Sequence, residues 1–181
     1  MNKYVKRYLV DSLSGMALGL FSTLIIGLIL KQIGGFFPIQ VSSDASTIML
    51  WLSAIGKFLI KVLTGAGIAV GVAHALGAPK LVCFASILTG TVGAYASGFI
   101  SGSIISAAGA VTLSGPGDPI GALAAGLAGA EIGRLLSGKT KVDIIITPAV
   151  TIITGCIAAV LLGPPLAQGS FWLGAGIQKA T

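Results

Sequence analysis

The residues most able to do chemistry lie in Ser114-Gly115-Pro116-Gly117-Asp118-Pro119 and, further along, at Glu131 and Arg134. Asp118 followed by Pro119 has the form of a helix N-cap and a first helical residue. Gly115 and Gly117 admit backbone angles that other residues resist. The stretch therefore reads as a sharp turn that starts a helix. At membrane depth such a start presents free N–H groups and partial positive charge to an anionic or hydroxyl-rich solute. Outside the membrane it is an ordinary capped turn, because Gly, Pro and Asp are also common turn residues. Glu131 and Arg134 are three apart and can pair on one helix face. Ionisable groups in an apolar helix point to function; the plainer reading is an ion pair that tethers helices. His74, the single histidine, falls near an expected membrane interface, where a solvated or structural role is the plainer alternative to solute contact. The candidate solute-binding set is thus Gly115, Gly117, Asp118, Glu131, Arg134 and His74. There is no Walker loop, nucleophile elbow, paired carboxylate or metal-ligand cluster, so no catalytic residue, metal or cofactor is expected. Cys83 and Cys156 lie in apolar runs and read as small packing residues.

The elements that must carry these residues belong in a membrane. Charged residues make up only 9% of the 181-residue chain and hydrophobic residues 55%, whereas a soluble domain carries about 25% charge. The expected fold class is an all-α integral membrane protein, a single transmembrane domain over residues 1–181. The net charge of +6 does not indicate nucleic acid, because the basic residues sit in small groups between apolar runs, as orientation signals do.

Met1 to Ser12 is a basic lead-in with Lys3, Lys6 and Arg7, and Leu13 to Leu30 is the first span, running on toward Ile33. That run is too long for the core of a cleaved signal peptide. Gly34 to Asp44, with Pro38, reads as a loop. Ser46 to Leu76 has two readings. Ser53, Lys57, Lys61 and Gly65 share one helical face, and the remainder is short. It is either an interfacial helix leading into a short membrane segment, the reading favoured by length, or one long tilted helix with a polar stripe. Leu81 to Leu113 exceeds one straight span of roughly 20 residues and divides near Ser97–Ser103 into Leu81–Ala96 and a short segment, Ile104–Leu113. The short segment and the helix Pro119–Leu136 would form a re-entrant helical hairpin with the Asp118 turn at its tip. After the polar stretch Ser137–Asp143, Ile144–Leu162 is the last clear span, with Pro148 a candidate kink and an end at Pro164-Pro165. Phe171-Trp172 suits a headgroup region. The total is about five membrane segments, within a range of four to six, the short ones not spanning a bilayer by themselves.

Small residues recur every four positions: Gly121, Ala125, Gly129, Gly133; Gly90, Ala94, Gly98, Gly102; and Gly67, Gly71, Ala75. Such ridges let helix backbones approach closely, within one chain or between chains. Lys3, Lys6 and Arg7, then Lys80, then Arg134, Lys139 and Lys141 can share one side, which puts the N-terminus in the cytoplasm; Lys31 is the main vote against, and Lys57 and Lys61 are ambiguous.

The stretches VDSLSGMALGLFSTLIIG, LTGAGIAVGVAHAL, LSGPGDPIGA, GAEIGRLLSGKTKVDIIITP and LLGPP together resemble the membrane subunit IIC (EIIC) of the phosphotransferase system, in particular the branch also described as regulators of perfringolysin expression (PfoR-like). The resemblance implies a multispanning permease of the cytoplasmic membrane that moves a sugar inward, coupled to phosphorylation by soluble partner subunits. Members of the family are about twice as long. By this resemblance the chain looks like an N-terminal half, either a fragment or a natural short form that assembles as a homo-oligomer or with a second half-chain. The phosphorylated Cys or His of such systems lies on soluble domains, so no catalytic residue carries over. Two other functions fit the sequence: a membrane-embedded regulator that binds a ligand or partner without transport, and a purely structural oligomer.

Overall fold

A computed structural model describes residues 3–36, 44–106 and 109–180. All its regular elements are helices, and four of the described helices are long and apolar enough to cross a membrane, with a shorter apolar one at Lys80–Ala94. The first helix, α1, runs through Lys3–Val5, a π-helical stretch at Lys6–Asp11, Ser12–Leu20, a π turn at Phe21–Ile25 and Ile26–Gly35. The second, α2, comprises Asp44–Phe58, a π turn at Leu59–Leu63 and Thr64–Ala75. Then follow α3 (Lys80–Ala94), α4 (Ala96–Ser101), α5 (Pro119–Leu136) and α6 (Asp143–Ala180).

Glycine sets the packing. Gly15 and Gly19 of α1 rest on the backbone of Gly71 and Gly67 of α2, and Gly27 and Gly34 meet Gly56 and Ser53 higher up. The two helices thus form an antiparallel hairpin with backbones in contact over its whole length. Gly65 of α2 sits on Gly90 of α3, Gly93 of α3 on Gly121 of α5, and Gly129 and Gly133 of α5 on Thr151 of α6. The small-residue ridges are therefore used within this chain, where close approach gains dispersion contacts that bulky side chains would prevent. Most of the buried apolar residues are alanines, whereas Leu18, Trp51, Phe84, Ile144 and Leu161 point outward. Small residues inside and large apolar residues outside is the arrangement of a multi-pass membrane protein, whose solvent is lipid.

Three sequence expectations change. The favoured division of Ser46–Leu76 does not occur: the helix is continuous, because its upper half finds a full-length partner in α1 at Gly34, Gly27 and Lys31. The Ile104–Leu113 arm is not helical. Gly102 adopts φ 70° and ends α4, Gly109 adopts φ 76°, and Ile105 pairs with Val111 in an isolated antiparallel bridge. The re-entrant hairpin thus has one helical arm, α5, and one folded-back loop, whose Ile104 is buried against Gly98. Finally, Pro164-Pro165 does not end the last helix, which continues to Ala180. Two prolines remove two backbone donors but keep helical φ, and a helix that still packs on its neighbours tolerates this; Gly163 lies against Ala96. Pro38 and most of the Gly34–Asp44 loop fall outside the described residues, as does the side chain of Phe171; Trp172 is exposed.

Candidate functional site

The Asp118 turn is built as its residue types dictate. Gly115 and Gly117 take φ 72° and 74°. Asp118 accepts hydrogen bonds from the backbone N–H of Ile120 (3.1 Å, Oδ1) and Gly121 (3.2 Å, Oδ2), with Pro119 as first helical residue. The carboxylate therefore occupies the electropositive end of its own helix. A solute here would meet the exposed face of Ser114, Gly115 and Pro116, rather than bare N–H groups.

This turn is anchored to the break between α3 and α4. The Asp118 N–H donates to the Ala94 carbonyl (2.7 Å). A Cβ on Gly117 would lie 2.7 Å from that same carbonyl oxygen, so the position needs glycine for space as well as for φ. Tyr95, 8% exposed, directs its hydroxyl to two backbone carbonyls, those of Gly115 (2.6 Å) and of Lys61 in the π turn of α2. The contacts of Tyr95 with Lys61 and of Ala96 with Gly163 put the turn level with the middle of α2 and with Gly163 of α6, three residues before the end of the apolar span Asp143–Leu166. The apolar helices α1 and α2 continue to either side of it.

The charges gather at the opposite end of α5. Arg7 donates from Nε (3.1 Å) and from a terminal nitrogen (2.6 Å) to the same oxygen of Glu131, and also to the carbonyl of Leu76 (3.2 Å). Arg134 donates to the Leu76 carbonyl as well (3.3 Å). Leu76 closes α2, so two guanidiniums meet the negative end of a helix dipole. The expected Glu131–Arg134 pair is replaced by Glu131–Arg7. The side chain of His74 is exposed, and its carbonyl accepts from Gly77.

The six candidate residues fall into two groups of three. Gly115, Gly117 and Asp118 form the turn; Glu131, Arg134 and His74 belong to the charged end, about 20 Å away at the helical rise along α5. Two residues were missed. Arg7 reads in sequence only as an orientation charge, and its partner is 124 positions away. Tyr95 carries a weak signal: a phenol within a run of Gly, Ala, Ser and Thr needs a hydrogen-bond partner at that depth. Shallow apolar grooves lie elsewhere, on the upper part of α2 around Thr47, Trp51 and Ile55.

In comparisons with known proteins, the family model described as "Phosphotransferase system, EIIC" matches residues 10–181. No curated protein and no solved structure matches the chain.

Proposed function

Since this chain belongs to the EIIC family of the phosphotransferase system, the membrane permease component of that system, we propose that it moves a sugar or related hydroxyl-rich solute across the cytoplasmic membrane, together with soluble phosphotransferase subunits. The family match over residues 10–181 is the observation that carries this reading. The Asp118 turn is its centre: Gly115 and the neighbouring exposed residues supply backbone carbonyls for solute hydroxyls, and Asp118 holds the start of α5 in register. The charged end, with Arg7, Glu131, Arg134 and His74, faces the cytoplasm and forms the inner threshold. This orientation follows from the basic residues gathered there, Lys80 and Lys139 to Lys141 included. The PfoR-like branch is the one whose motifs the chain carries, and self-association or a companion chain completes the permease.

Phosphoenolpyruvate-dependent uptake of labelled hexoses and hexitols into vesicles holding the full chain and the soluble subunits tests the proposal. Asp118→Ala and Glu131→Gln should each lower uptake at least tenfold with folded protein still in the membrane. Asp118→Asn, which keeps an N-cap, separates charge from capping. Normal uptake by both variants would remove the turn and the charged end from the mechanism. Ligand or partner binding by an unaltered chain that gives no uptake would establish the regulatory alternative instead.

A further inference from the structure

We propose that Tyr95 is a positioning residue whose single phenolic proton alternates between the Lys61 carbonyl of α2 and the Gly115 carbonyl of the turn, and so sets the angle of the upper α1–α2 hairpin. Three interruptions lie at one level of the molecule. The π turns Phe21–Ile25 of α1 and Leu59–Leu63 of α2 contact each other, and α3 breaks at Tyr95, with φ −117° and ψ 18°. Irregular turns of this kind mark places where a helix changes register or bends.

What lies on either side of this line differs. Below it, glycine contacts join α1, α2, α3, α5 and α6 backbone to backbone. Above it, Ile26–Gly35 and Asp44–Phe58 make their main contacts with one another and with the π turns. Among the described residues, the Tyr95 hydroxyl is a side-chain link from the α2 π turn to both α3 and the Asp118 turn.

A phenol has one proton to donate. Two carbonyl oxygens within hydrogen-bond distance of it compete, and one of them lacks that donor at any moment. When the proton points to Lys61, the hairpin is tied to α3 and the Gly115 carbonyl is open to another donor. When it points to Gly115, the turn is tied and the hairpin is released. A solute hydroxyl donating to Gly115 therefore favours the first state, by its differential affinity for the two. The solute step rests on the transport reading above; the alternation of the hairpin does not.

The test uses the full chain in lipid nanodiscs, with Cys83 and Cys156 replaced by Ala. One spin-label pair at Leu50 and Leu135 reports across the line, and a control pair at Phe84 and Leu135 lies below it. The chain with Tyr95 should give two distance components across the line, and Tyr95→Phe should collapse them to one while the control pair stays unchanged. Mannitol or glucose at saturation should shift the two populations of the Tyr95 protein, and Tyr95→Phe should lose that shift. A single narrow distance for the Tyr95 protein overturns the proposal even if the Phe variant does not fold. So do equal distributions in both proteins, or a control pair that changes as much as the test pair. In the uptake assay, Tyr95→Phe should lower the maximal rate about tenfold, the scale of one hydrogen bond, with a smaller change in KM. Absence of uptake from every version would sink the transport reading and leave the latch to be judged on the distances.

Discussion

Asp118 and Glu131 show how differently a residue's role can be written into its neighbourhood. The partners of Asp118 are two and three positions along the chain, so its cap is legible from Asp-Pro and the glycines before it. Glu131 has a plausible local partner in Arg134, yet pairs with Arg7. The reason is geometric: Arg7 and Arg134 both reach the Leu76 carbonyl, and only Arg7 has the carboxylate within reach at the same time. A double-mutant cycle should reveal this. Arg7→Met with Glu131→Gln should show a coupling of about 1 kcal/mol for this partly exposed pair, measured by unfolding in mixed micelles. Arg134→Met with Glu131→Gln should show less than half of that. Coupling that is larger for Arg134 would contradict the pairing described here.

At the scale of elements, the helices are held by what their glycines lack. A Cβ at Gly19 would overlap the Gly67 backbone, whereas at Gly35, on the same helix, it would meet nothing within 4 Å. Gly19→Leu should therefore pry α1 from α2 and cost roughly 3 kcal/mol or more, at the upper end of overpacking penalties. Gly35→Ala should be neutral or stabilising by up to about 1 kcal/mol, because it removes backbone entropy from the unfolded chain. Thermal unfolding of the two variants in detergent decides this; equal losses would mean that the close approach carries no special weight. The four-residue spacing of Gly and Ala made tight packing legible. Which ridge met which could not be read, since each is compatible with any other small-residue surface. The Ile104–Leu113 arm was misread for a related reason. Its apolar composition suits a helix, but Gly102 and Gly109 divert the backbone, and Ile104 finds burial without one.

For the molecule as a whole, the outward face is the lipid face. Ile153, midway along the span Asp143–Leu166, is 58% exposed, while Thr151, two positions earlier, is buried. An arginine at an outward position near the bilayer centre costs about 2.5 to 3.5 kcal/mol on insertion scales. Ile153→Arg should accordingly reduce the membrane-inserted fraction of the protein, read by carbonate extraction and glycosylation-site mapping. Lys57→Leu, at an exposed position on the upper part of α2, should leave insertion intact or improve it. Unaltered insertion of Ile153→Arg would mean that another polypeptide covers this face.

Taken alone, the order of residues determined the solvent, the class and the local starts and stops. The hydrophobic excess demands a bilayer, the small-residue spacing demands close helices, and Asp118-Pro119 demands a helix start. Those are sums or near-neighbour effects, complete within a few turns of chain. The tertiary structure alone decided that Asp118 fills its own helix terminus against the break after Ala94, that Arg7 rather than Arg134 holds Glu131, and that Tyr95 faces two carbonyls from segments 34 and 20 positions away. Each of these depends on which backbones come within hydrogen-bonding distance, and that is set by the glycine contacts between helices far apart in the chain.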